Sequence, residues 1–231
     1  MSVSAAPAEN VGGEIVQGRE FAFTPDDFRQ IADLVHANTG IRLPAYKSAM
    51  VYSRLAKRLR ALGMASFNDY CRLVLDNKGV DERQRMLAAL TTNMTSFFRE
   101  PHHFEHLKQK VLPPLLESAR RGGRVRIWSA ACSSGEEPYS IALTILSVMP
   151  DAPQCDVKVL ATDINPNVLE KGRIGIYRES ALDKVDVQTR KRWFQPAATP
   201  EGEPALVAGD ALRSLISFRE LNLVGEWPMR G

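Results

Sequence analysis

Cysteine is sparse and unpatterned. Cys71, Cys132 and Cys155 are scattered, odd in number and without a CxxC pair. Neither a disulfide framework nor a thiolate-built zinc site is supported, and the reducing cytoplasm fits best. Long apolar runs are missing too: none approaches the roughly 18 residues a bilayer-spanning helix needs, so no membrane insertion is expected. Charge of one sign is hardly in excess. Thirty basic against 27 acidic residues leave a net +3, too little to argue for a nucleic-acid partner. Residues 1–20 lack the basic region and continuous apolar stretch of a signal peptide and are expected to form a disordered tail. The full chain of 231 residues, 44% of them hydrophobic, can bury one large or two small cores.

The first half is patterned as helices. Thr24-Pro25-Asp26-Asp27 reads as an N-cap, a first-turn proline and an acidic first turn, followed by Phe28, Ile31, Leu34 and Val35 at helical spacing up to Gly40. A second helix runs from about Tyr46 to Gly63 with Val51, Leu55, Leu59 and Leu62 as its apolar stripe. Ser66 is placed to cap a third helix and Asp81 a fourth, and Phe104, Leu107 and Val111 mark one more after Pro101. An all-helical domain over 21–90 is expected, with a second domain over 91–231.

After Gly122-Gly123 the pattern changes. Val125–Trp128 and Val157–Ala161 are β-type runs, each followed by a loop and a helix, the second helix capped by Asn165; a third strand is expected at Leu215–Phe218. Alternating strands and helices mean an α/β fold with a parallel sheet and a ligand site at the carboxyl ends of its strands. Between Lys184 and Asp210, Gln188–Phe194 reads as helical and Pro196–Pro204 as loop.

The segment Ser129-Ala130-Ala131-Cys132-Ser133-Ser134-Gly135-Glu136-Glu137-Pro138 occupies the place of a Rossmann-type cofactor loop. Two glutamates at the start of the following helix would repel a phosphate that the helix amides otherwise attract. S-adenosylmethionine, with an ammonium and a sulfonium, fits instead. Asp163 ends the second strand, where such folds set an acid against ribose hydroxyls. On spacing alone, Glu136 and Glu137 also read as dipole-favouring residues and Asp163 as a turn residue.

Ala89–Glu100, Trp128–Ser140 and Ala161-Thr162-Asp163-Ile164, with Gly175-Ile176-Tyr177 and Phe218–Leu223, resemble the CheR-type chemotaxis receptor glutamate methyltransferases. The resemblance covers roughly residues 24–231. It implies an α/β protein in which an N-terminal all-helical domain precedes a Rossmann-like class I S-adenosylmethionine-dependent methyltransferase domain. It further implies methyl transfer to glutamate side chains of methyl-accepting chemotaxis receptors, with S-adenosyl-L-homocysteine as product. The matching positions imply cofactor contacts at Asn93, Thr95, Arg99, Glu137, Asp163, Asn222 and Leu223. Arg99 is also the expected catalytic residue, orienting a carboxylate by bidentate pairing; its alternative is a surface salt bridge with Glu100 or a neighbour.

From Arg42 to Arg60 there are six basic residues and no acidic one. By resemblance, Arg54, Lys57, Arg58 and Arg60 would grip the acidic helical hairpin in the cytoplasmic domain of the receptor; a plain solvated face is the alternative. His102, His103, Glu105 and His106 do not make an HExxH pattern, and no metal is expected. Trp128, Trp193 and Trp227 read as packing residues rather than a base-stacking platform. The family's sheet continues, after the Asn222-Leu223 run, through a Cys-Arg-Asn segment and a tyrosine. With about three strands of an expected seven, the domain reads as C-terminally incomplete, and the first strand is expected to present an apolar edge. A truncated enzyme and a short form that binds receptor or cofactor without turnover both follow from this ending.

Overall fold

The computed structural model describes residues 20–91 and 93–228. The tail expected over 1–20 lies outside them except for Glu20. The chain divides into two compact units, one ending at Leu90 and one starting at Thr91.

The first unit is helical. Helix α1 (Pro25–Thr39) starts in a full capping box, Thr24 Oγ1 accepting from the Asp27 amide and the Asp27 carboxylate from the Thr24 amide. A single 3₁₀ turn, Ala45–Lys47, leads into α2 (Ser48–Leu62), which ends at Gly63 with φ 64°. Helix α3 (Phe67–Leu75) is capped by Ser66, and α4 (Val80–Leu90) follows. Asp81 lies inside the first turn of α4 and does not cap it; Asp76 caps the preceding turn at the Lys78 amide. Val51, Leu55 and Leu59 of the stripe read from the sequence are fully buried, each worth about 1.5–3 kcal/mol against exposure; Leu62, its fourth member at the end of α2, is exposed instead. Phe23 and Phe67, with ring centroids 4.5 Å apart, extend this core.

The second unit begins with α5 (Pro101–His106), which continues through one π turn at Leu107–Val111 into α6 (Leu112–Arg120). Pro113 and Pro114 open α6 and have no amide hydrogens, so the ladder is interrupted there. The Leu112 amide reaches back to Leu107 in the wider turn.

Strands β1 (Val125–Ala130) and β2 (Val157–Asp163) pair in parallel, Val125 opposite Val157. Helix α7 (Glu136–Val148) connects them, and its residues Pro138–Leu146 are all buried. Helix α8 (Pro166–Ile174), capped by Asn165, follows β2.

Strand β3 (Ile176–Arg178), helix α9 (Val187–Trp193), β4 (Phe194–Ala198), β5 (Pro204–Ala208) and α10 (Asp210–Ser214) precede β6 (Ile216–Glu220). Strand β6 pairs with β2, giving the parallel order β1-β2-β6. Strands β3, β5 and β4 form a separate antiparallel sheet with β5 in the middle. This sheet corrects the ends of the loop expected at Pro196–Pro204: Pro196–Ala198 and Pro204 are strand, while 199–203 form the connection between them. Pro196 is tolerated because β4 is an edge strand, and Pro204 because it is the first residue of β5.

Strand β1 is paired on one side only, with Ile127 and Trp128 half-buried along it. The Trp227 ring packs edge-on against Trp128 at 4.9 Å. No helix among the described residues is long and apolar enough to cross a membrane.

Candidate cofactor site

The carboxyl ends of the three parallel strands carry the candidate residues. Ala130 stands opposite Thr162, and the Cys132 amide donates to the Thr162 carbonyl at 2.8 Å, so the loop after β1 starts beside the end of β2. Asp163 is opposite Glu220 in β6, and the Leu221 amide donates to the Asp163 carbonyl at 3.0 Å. Asn222 and Leu223 therefore follow at the same end of the sheet.

Asp163 is 7% exposed. Its Oδ2 accepts from the Ser133 amide at 2.8 Å and its Oδ1 from the Asn165 amide at 2.9 Å. Each oxygen makes one such bond, and a carboxylate oxygen accepts more than one, so capacity remains for ligand hydroxyls. Glu137, exposed at the start of α7, accepts from Ser129 Oγ at 2.6 Å, and Glu136 accepts from Ser134 Oγ at 2.7 Å.

A second segment, Thr91 with residues 93–100, lies along this loop. Ser133 Oγ donates to the Asn93 carbonyl at 3.3 Å, the Phe98 amide to Ser140 Oγ at 2.9 Å, and Asn165 Nδ2 to Thr91 Oγ1 at 3.2 Å. Lys184 adds a bond to Ser96 Oγ at 3.2 Å. Asn93 and Arg99 are exposed on this strap and Thr95 is half-buried. Arg99 Nη1 donates to the Met94 carbonyl at 2.9 Å and does not pair with Glu100 among the described residues. Arg99 and Glu137 face a common depression of about 360 Å³ floored by Ile127 and Ile141.

Among the described residues, the non-glycine positions with positive φ are Phe98, Glu100, Ala131 and Ser133. All four sit in the strap or the loop, and such conformations cost energy that surrounding contacts must offset. Gly135 has φ 99°, and a Cβ there would stand 2.8 Å from the Tyr177 hydroxyl and 3.1 Å from Gly172 Cα. Glycine is required on both counts. Burial, and next the charge of Asp163, push the Cys132 thiol up to about 12, so it is a packing residue in this loop.

The four basic residues of α2 separate into two kinds. Arg54 donates to the carbonyls of Ala89 and Leu90, covering the end of α4. Arg58 forms a two-pronged pair with Glu82 at 2.9 and 2.6 Å, and Tyr70 donates to the same carboxylate at 3.0 Å. Arg60 meets Glu20 in the open, and Lys57 is exposed. His102, His103 and His106 are exposed, and no group of three or more metal-ligating side chains occurs among the described residues.

Ser133 and Ser140, which bond to the strap from the loop and from α7, and Asn165 and Lys184, which bond to it from beyond β2, were not read as site residues in the sequence. Their signal was faint: Ser133 and Ser140 lie within the loop motif, but nothing in the spacing showed what they hold.

The donor set suits a cationic, hydroxyl-bearing ligand rather than a phosphate: acids at the helix start, a buried carboxylate at a strand end and a loop cleared of a side chain at Gly135. Comparison with known proteins agrees. Residues 93–231 match the family model described as CheR methyltransferase, SAM binding domain, and residues 26–91 the one described as CheR methyltransferase, all-alpha domain. A probable chemotaxis protein methyltransferase of Rhizobium etli is 50% identical over 198 residues, 86% of this chain and 74% of that protein. The chemotaxis protein methyltransferase of Escherichia coli K12 is 41% identical over 207 residues, 89% and 68% respectively. Chemotaxis protein methyltransferase 2 of Pseudomonas aeruginosa is 40% identical over 220 residues, 92% and 74%. The cofactor is S-adenosylmethionine, and the chain belongs to the CheR family of methyltransferases.

Proposed function

We propose that this methyltransferase esterifies glutamate side chains in the cytoplasmic domain of methyl-accepting chemotaxis receptors, and that it works in the cytoplasm. The placement of Asp163 and Asn222-Leu223 at the carboxyl ends of β2 and β6, with Glu137 bonded to Ser129 near the end of β1, carries the reading; Arg99 shares its depression with Glu137 and not with Asp163. When bound, S-adenosylmethionine supplies an electrophilic methyl on a sulfonium. In this reading Asp163 accepts hydrogen bonds from the ribose hydroxyls. Glu137 attracts the cationic methionine portion, with Asn93, Thr95, Asn222 and Leu223 as further walls.

A glutamate side chain with pKa near 4.3 is ionised at neutral pH, so no strong general base is needed. With the cofactor bound, the receptor carboxylate would take up its methyl group as an ester and S-adenosylhomocysteine would be the other product. Arg99, held to the strap by the Met94 carbonyl, orients a carboxylate, either that of the incoming glutamate or that of the cofactor. Exclusion of water does the rest. For the receptor, Lys57 and Arg60 are the better-placed grips on α2, because Arg54 and Arg58 are engaged within the helical unit.

Calorimetric titration with S-adenosylhomocysteine, followed by incubation with labelled cofactor and a receptor cytoplasmic fragment, tests the reading. One saturable site, lost in Asp163→Ala, and base-labile label on receptor glutamates are expected. Binding of cofactor with no label transfer would leave a binding-only form and overturn catalysis by this chain.

A further inference from the structure

Tyr177 belongs to the antiparallel sheet, yet it touches both walls of the candidate cofactor site. Its hydroxyl donates to the Ser134 carbonyl in the loop at 2.7 Å. Its ring meets Phe97 of the strap edge to face at 5.0 Å and Tyr139 of α7 at 5.7 Å. The same hydroxyl fills the space that a side chain on Gly135 would need. Tyr177 is 6% exposed. Burial holds its phenol well above the ordinary value, so it remains a proton donor over the working pH range.

A carbonyl in a loop that contains three left-handed residues has few ways to be satisfied from within the loop. Tyr177 supplies the partner from outside. We propose that Tyr177 is a positioning residue for the cofactor: through Ser134 and Phe97 it sets the loop and the strap in one arrangement, and so couples the antiparallel sheet to cofactor affinity. The inference rests on the cofactor site proposed above. It assigns Tyr177 no contact with the cofactor; its effect passes through the backbone that presents Glu136 and Glu137.

Tyr139 provides an internal control. Its hydroxyl donates to a buried carbonyl as well, that of Gly172 at 2.9 Å, but to α8 rather than to the loop. Both phenols should cost similar stability when removed. Only Tyr177 should cost affinity.

The experiment compares wild type, Tyr177→Phe, Tyr139→Phe and Asp163→Ala. It combines calorimetric titration with S-adenosylhomocysteine, thermal unfolding and hydrogen exchange of the unliganded proteins. Tyr177→Phe is expected to weaken binding about five- to tenfold, the worth of one neutral hydrogen bond. It should also speed exchange at 131–135. Tyr139→Phe should lower the melting temperature comparably while leaving affinity within about twofold of wild type. Equal affinity loss in both tyrosine variants, or wild-type affinity and loop exchange in Tyr177→Phe, overturns the inference alone. Failure of the wild type to bind, or unaltered binding by Asp163→Ala, removes the cofactor-site reading and this inference with it.

Discussion

The Asp163 carboxylate accepts the Ser133 amide at 2.8 Å, so the acid proposed for the ribose also clamps the loop that forms the opposite wall. Its other oxygen holds the Asn165 amide, which starts α8. Asp163→Asn puts a neutral amide where a charged acceptor served two amides, each bond worth about 1.5–3 kcal/mol. Affinity for S-adenosylhomocysteine should fall by at least about 100-fold. Calorimetry checks this against Asp156→Asn, an exposed acid elsewhere in the unit; a loss below about threefold would rule out the clamp.

Within the helical unit a half-buried Arg58 pairs with a buried Glu82, their side chains 24% and 7% exposed. Removing Arg58 leaves a carboxylate that only Tyr70 still satisfies. Arg58→Ala should cost about 3 kcal/mol. The double change Arg58→Met with Glu82→Leu should recover most of that, because replacing both charges with apolar groups leaves no orphan. Urea unfolding followed by the helical signal measures both, and equal loss in single and double variants would refute the account.

Lys57 and Arg60 give the receptor proposal its cleanest test. Their reversal, Lys57→Glu with Arg60→Glu, breaks one ion pair among the described residues, the exposed contact with Glu20, and should spare the fold. Association with an acidic receptor fragment should slow by about tenfold at low salt, with the difference shrinking as salt rises. Association rates at two ionic strengths decide it. Insensitivity to both salt and charge reversal would assign recognition to another face.

Cysteine chemistry should be selective. Burial, as the largest cause, pushes Cys71 and Cys132 up to about 12. At pH 8 only about one in ten thousand of either is thiolate, the form that reacts. Cys155 is half-buried, so iodoacetamide should label it first, as peptide mapping would show. The two raised values also bear on stability. The folded chain keeps these protons beyond the unfolded value near 8.5, so their contribution is full below that pH and is lost as pH climbs toward 12. Unfolding by denaturant should become easier between pH 9 and about 11. Early labelling of Cys132 would contradict both statements.

Local chemistry was legible in the sequence and long-range pairing was not. Thr24, Ser66 and Asn165 cap helices by reaching amides two or three residues on, a relationship the sequence itself contains. Asp163 was legible because a strand ending in an acid is also a local pattern. The antiparallel sheet was hidden, since β3 pairs with β5 across some thirty residues, Ile176, Tyr177 and Arg178 opposite Val207, Leu206 and Ala205, and Pro196 argued against a strand. Charge alone misled at α2: Arg54 and Arg58 read as a surface face, but their partners at residues 82, 89 and 90 are contributed by another helix.

The place of β6 has a temporal meaning. It pairs with β2, not with a neighbour in sequence, and brings Asn222 and Leu223 to Asp163. During synthesis Asp163 and its loop leave the ribosome some seconds before β6 does. Until then the growing chain holds two parallel strands and an open-sided cleft. A cofactor held by Asp163 together with Asn222 and Leu223 would therefore stabilise the chain by mass action only once β6 has paired with β2.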